Sequence, residues 1–111
     1  MISTHVLDVS IGRPAPGMRV TASRVEDTRR STIAADVTDS EGRVRELVPD
    51  MALVGGGVFE LTFETGTYFS ARGVTHFHPR VTVTIEVADP SQHYHVPVLV
   101  SPFGYTTYRG S

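Results

Sequence analysis

The reactive groups of this chain are histidine and arginine. Five histidines stand at His5, His76, His78, His93 and His95, and all ten basic side chains are arginine. Histidine titrates near neutral pH, so it can take a proton from water and give it back. Arginine keeps its charge, and its planar fork of donors suits carbonyl oxygens and developing anions. His76-Phe77-His78 and His93-Tyr94-His95 are both His-x-His pairs. On a strand each pair points to one side, a spacing that also suits zinc or copper. Neither pair has an acidic or thiol third ligand at a recognisable spacing, so the expectation is no metal site.

What is missing narrows the chemistry further. There is no cysteine, lysine, tryptophan or asparagine. Without cysteine there is no thiol nucleophile, disulfide or thiolate metal site. Without lysine there is no Schiff-base enzyme and no phosphate-loop ATPase. A net charge of −2 provides no broad basic field for nucleic acid or an anionic membrane. No apolar run approaches the roughly 20 residues of a membrane span. A strand pattern begins almost at residue 1 and leaves no room for a signal peptide. The chain therefore reads as a soluble, cytoplasmic protein, with residues 1–111 forming one domain.

The elements that must position these groups have period two. Val81, Val83, Ile85 and Val87 alternate with Thr82, Thr84 and Glu86, and Phe59, Leu61 and Phe63 with Glu60, Thr62 and Glu64. Ile33, Ala35 and Val37 repeat the pattern. Each run reads as a strand with one face buried and one wet. Glycine- and proline-rich turns separate the runs. Eight strands are predicted, at 3–10, 18–25, 31–38, 43–47, 58–64, 80–88, 93–100 and 104–109. Residues 65–72 are predicted to be a short helix, with Thr65 as N-cap and Gly73 as its stop. Regular short strands of this kind indicate a β-sandwich or barrel.

Two strands break the simple alternation. In the first, His5, Leu7 and Val9 share one face while Val6 and Asp8 share the other. In the seventh, Tyr94, Val96, Val98 and Val100 share one face while His93, His95, Pro97 and Leu99 share the other. A strand apolar on both faces is covered on both. In a single sandwich of this size, the expected cover is another subunit. His5 and His95 then face an interface or a ligand groove. Pro97 cannot donate to a ladder and argues for an edge or a bulge. The chain end, Tyr108-Arg109-Gly110-Ser111, stays patterned to its last residue and reads as a docked tail, its terminal carboxylate included.

These residues resemble a known family. The start T-H-V-L-D-V-S-I-G-R-P-A, the turn D-S-E-G-R-V and the end H-Y-H-V-P-V-L-V-S-P-F-G-Y-T-T-Y-R-G-S are similar to those of the transthyretin-like 5-hydroxyisourate hydrolases, in family order and over nearly the whole chain. The terminal Y-R-G-S is the most specific element. Together with the two histidines it separates the hydrolases from transthyretin, the hormone carrier of the same fold. Thr106 stands where serine is common and keeps the hydroxyl.

The resemblance implies an all-β, eight-stranded, two-sheet sandwich with one short helix. It implies a homotetramer, a dimer of dimers, with active sites in a channel between the dimers. It implies cofactor-free hydrolysis of 5-hydroxyisourate to 2-oxo-4-hydroxy-4-carboxy-5-ureidoimidazoline in urate breakdown. By resemblance His5, Arg43 and His95 are catalytic, and Tyr108, Arg109, Gly110 and Ser111 bind substrate. A histidine would activate water while Arg43 stabilises the oxyanion; which histidine is the base stays open at this level. The rival reading is a small-molecule carrier on the same fold.

Overall fold

The computed structural model describes residues 1–111. Two sheets pack face to face. The first is built on β1 (Ile2–Asp8) and β8 (Tyr94–Ser101), which run parallel side by side. β9 (Gly104–Thr107) extends it beyond β8. On the far side of β1, β5 (Arg43–Val48) pairs with its first half and the two-residue β2 (Arg13–Pro14) with its end. The second sheet runs β4 (Arg29–Val37), β3 (Arg19–Glu26), β6 (Gly57–Phe63), β7 (Val81–Val87), all antiparallel. A single 3-10 turn covers Asp50–Leu53, and α1 spans Thr65–Ala71. No helix is long and apolar enough to cross a membrane.

The eight predicted strands are present, and β2 is an addition too short for periodicity to detect. The core lies where the alternation placed it. Val6, Val96, Val98 and Val100 from one sheet meet Val20, Ala22, Phe59, Leu61 and Phe63 from the other, all buried. Burying such side chains contributes roughly 1.5–3 kcal/mol each.

Four expectations need correction. In β4 the run Ile33, Ala35 and Val37 faces solvent, and the partly buried residue packed on the core is Ala34. A register shift opposite Ala22 and Ser23 breaks the period of two, because a bulge flips every later side chain to the other face. Glu64, not Thr65, is the N-cap of α1, and it makes no side-chain cap bond; the Thr65 hydroxyl is turned into the interior. Gly73 does stop the helix, with φ +70°. Pro97 is not on an edge strand, because β8 lies between β1 and β9. It sits where the β8–β9 pairing lapses between Thr107, opposite Val98, and Gly110, opposite His95, so its missing N–H leaves no ladder bond unmade there. Finally, part of the outer face of β8 is covered by the chain's own tail: Gly110 lies against both His95 and Pro97.

One buried polar link ties the helix to the first strand. Asp8, at 2% exposure, accepts from the Tyr68 hydroxyl at 2.9 Å and from the Ser10 amide at 3.0 Å. Burial, with the Asp8 bond adding to it, pushes the Tyr68 phenol up to about 12, so it stays a donor at all ordinary pH. Tyr68→Phe leaves one carboxylate oxygen short of a partner. The expected cost is about 1–3 kcal/mol, seen as a lower urea midpoint with an unchanged slope; an unchanged midpoint would show that the bond carries no net stability.

Candidate active site

The site is assembled on the outer face of the first sheet, at the end where β1, β5 and β8 run side by side. Period-two geometry puts Ser3 and His5 on that face of β1. Ser3 is directly opposite His95, and His5 opposite both Pro97 and Arg43. Arg43 and Arg45 share the same face of β5. His93, just before β8, completes the group.

A tight turn delivers Arg43. The Asp39 carboxylate accepts from the backbone amides of Glu41 and Arg43, each at 2.9 Å. The Arg43 amide is the main reason the Asp39 carboxyl is held below its usual range. Gly42 closes the turn at φ +76°, and a Cβ there would stand 2.3 Å from the Val6 carbonyl oxygen. Only glycine lets the turn press onto β1, where the Val6 amide donates to the Gly42 carbonyl at 2.7 Å. The D-S-E-G-R segment is thus a device for setting Arg43 beside His5.

The histidines are oriented by their partners. His5 Nε2 is 2.9 Å from the Glu41 carbonyl oxygen. A carbonyl can only accept, so Nε2 carries the hydrogen and a neutral His5 leaves Nδ1 bare. His95 Nδ1 is 2.8 Å from Ser3 Oγ, and the same hydroxyl is 2.6 Å from His93 Nε2. Burial holds the His95 pKa below its ordinary value, helped by the charges of His93, Arg43 and His5. Arg45 is engaged with Glu41 at 3.1 Å, whereas Arg43 makes no ion pair and its donors stay open.

A cleft of about 210 Å³ lies over this cluster, lined by Ser3, Thr4, Arg43, Arg45, His93, His95 and Ser111. Its lining is wholly polar, which suits a small, carbonyl-rich ligand. A second cleft of about 230 Å³ adjoins it on the other side of His95, between the edges of β7 and β9. Tyr108 and Arg109 line that second cleft. Arg109 donates to the Gln92 side chain at 3.0 Å and lies over the Tyr94 ring at 4.5 Å. The Gly110 amide donates to the His95 carbonyl at 2.9 Å.

The structure thus brings His5, Arg43, His95, Gly110 and Ser111 together, and it places Tyr108 and Arg109 as the arm that carries the tail past His95. His76 and His78 lie elsewhere: one ring stacks on Phe69 and the other meets Tyr105 edge-on. Ser3 and Arg45 carry no mark in the sequence as site residues, and His93 enters it only as half of a His-x-His pair. Each stands two positions from a residue that is so marked, so the alternation rule applied outward from His5, Arg43 and His95 finds all three.

Comparison with known proteins places the chain in a family. Residues 2–110 fit the model of the HIUase/Transthyretin family. The 5-hydroxyisourate hydrolase 2 of Rhizobium meliloti is 42% identical over 114 residues, covering 99% of this chain and 95% of that one. The solved structure of Klebsiella pneumoniae 5-hydroxyisourate hydrolase superposes with a TM-score of 0.85 at 36% identity, covering 99% of this chain and 92% of that one. Sea bream transthyretin in complex with thyroxine superposes with a TM-score of 0.89 at 31% identity, covering 98% and 93%. Backbone similarity alone therefore does not separate hydrolase from carrier, and the side chains on the outer face of β1, β5 and β8 must do so. By sequence and by fold, this chain belongs to the HIUase/transthyretin family.

Proposed function

We propose that this chain is a 5-hydroxyisourate hydrolase, opening the six-membered ring of its substrate to give 2-oxo-4-hydroxy-4-carboxy-5-ureidoimidazoline without a cofactor. The observation that carries the reading is the meeting of an oriented His95 and an unpaired Arg43 in one polar cleft, with His5 directly opposite Arg43 on the neighbouring strand. His95 is the general base: its bond to Ser3 through Nδ1 leaves Nε2 for water, and its lowered pKa keeps it unprotonated at neutral pH. His5, held by Glu41, orients the water. Arg43 holds the ring carbonyls and stabilises the tetrahedral oxyanion. Ser111 and the Tyr108–Gly110 arm close the cleft.

A homotetramer, a dimer of dimers with its channel over this face, is the assembly that fits best. Supporting it, Leu7 and Leu99 stand half-buried on the outer face, and Val9 and Ile11 are exposed beside it. Such a pairing would exclude water from two facing clefts. The carrier reading is favoured only by the likeness to transthyretin.

Absorbance separates the two. 5-Hydroxyisourate generated freshly from urate is expected to decay much faster with a trace of the protein than without it. The kcat/KM should fall as pH drops through the His95 pKa, with a midpoint below about 6.5, the ordinary histidine value. Spontaneous decay unaltered by the protein would leave a carrier.

A further inference from the structure

Ser3 Oγ is shared between two imidazoles, His95 Nδ1 at 2.8 Å and His93 Nε2 at 2.6 Å. A hydroxyl has one hydrogen to donate. In one arrangement His95 Nδ1–H donates to Ser3 and Ser3 donates to His93 Nε2, leaving His95 Nε2 bare. In the other every hydrogen has moved one place: His93 Nε2–H donates to Ser3 and Ser3 donates to His95 Nδ1. The two histidines also differ in surroundings. His95 is half-buried and His93 is exposed. Water solvates an imidazolium at His93, and the cleft disfavours one at His95.

We propose that Ser3 and His93 form a proton relay behind His95, storing on His93 the charge created when water attacks. The inference rests on the hydrolase reading above. The steps balance. Water gives one proton to His95 Nε2 as its oxygen bonds to the substrate carbonyl carbon. The His95 Nδ1 proton passes to Ser3 Oγ while the Ser3 hydroxyl proton passes to His93 Nε2. His95 is then neutral and His93, protonated on both nitrogens, is the cation. When the C–N bond breaks, the chain runs backwards: His93 Nε2 returns its proton to Ser3, Ser3 returns one to His95 Nδ1, and the Nε2 proton leaves with the departing nitrogen. Ser3 and His93 touch no substrate atom in this scheme and act through His95, as positioning and relay residues.

The charged and titratable groups around His95 favour this direction of transfer. β1 contributes His5, and β5 contributes Arg43 and Arg45, the second paired with Glu41. Glu86 of β7, together with Tyr108 and Arg109 of the tail, lines the cleft on its other side. Arg43 and His5 disfavour a positive charge on the His95 ring, while the way out through Ser3 leads to the exposed His93.

The test is steady-state kinetics of His93→Ala, Ser3→Ala and Ser3→Thr in dilute buffer, with and without added imidazole. His93 is exposed, so its alanine variant keeps the fold even if Ser3→Ala does not. The relay predicts that kcat falls about tenfold or more in both alanine variants while KM changes little. It also predicts that Ser3→Thr stays near wild type, and that imidazole restores His93→Ala in proportion to its concentration. A His93→Ala protein with wild-type kcat in dilute buffer would overturn the relay. So would a loss of kcat that imidazole leaves unmoved. Either result leaves the hydrolase reading standing as long as the wild-type protein turns over substrate; an inactive wild type would sink that reading instead.

Discussion

Arg43→Ala is expected to lower kcat for 5-hydroxyisourate by about 10²–10³, the usual loss when one oxyanion-stabilising donor is removed from a preorganised site. Three features support an effect of that size. The guanidinium is positioned by its own backbone, through the Asp39 carboxylate and the tightly packed Gly42. No acidic partner competes for its donors, unlike Arg45, which is tied to Glu41. Charge that develops beside half-buried His95 meets less screening than at the open surface. The fold should be indifferent, since Arg43 contributes no ion pair or buried hydrogen bond of its own side chain. Arg43→Lys keeps the charge and loses the fork, so it should recover only part of the rate. Kinetics beside an unfolding curve checks this; a stable Arg43→Ala protein with near-normal kcat would remove arginine from the mechanism.

Gly110→Ala is the second large expectation, because it adds only one methyl group. That Cβ would lie 2.5 Å from His95 Cδ2, 3.1 Å from Pro97 Cγ and 3.3 Å from His95 Cγ. The first distance is impossible without movement. If the tail lifts, the bond from the Gly110 amide to the His95 carbonyl at 2.9 Å breaks, and Ser111 leaves the cleft. If the His95 ring swings instead, its 2.8 Å bond to Ser3 breaks. Either way the base is misplaced by about 1 Å, a displacement that can cost on the order of 10²-fold. Deleting residues 108–111 should go further and abolish turnover. Thermal stability should hardly change in either case, because the tail lies outside the 22-residue core. A Gly110→Ala enzyme with full activity would show that the tail does not brace His95.

Much of this was legible in the chain because strands alternate. The placement of His5 and His95 on an outer face follows from Val6, Val96 and Val98 needing the inner one. Alternation failed at β4, where the bulge opposite Ala22 and Ser23 turned Ile33 and Val37 to solvent. A bulge leaves no mark in a hydrophobic pattern. Pro97 correctly signalled an interrupted ladder, but the interruption arises between Thr107 and Gly110, not at a sheet edge. Ser3 stayed hidden for a different reason. A serine gains chemical meaning only when two imidazoles converge on its hydroxyl, and that pairing joins residues about ninety positions apart. The same holds for Gly110, whose role depends on the ring it touches. The family resemblance makes Tyr108 and Arg109 substrate-binding residues; in the structure Arg109 holds the tail, through Gln92 and Tyr94.

The most direct test of the account is multiple turnover with a large excess of freshly generated 5-hydroxyisourate, comparing the wild-type chain with the double variant His95→Ala, Arg43→Ala. The wild-type chain is expected to consume the whole excess much faster than buffer alone and to yield the ring-opened product, while with the folded double variant the substrate disappears no faster than in buffer. A wild-type chain that consumes no more than one equivalent, or a double variant that matches it, would contradict the account.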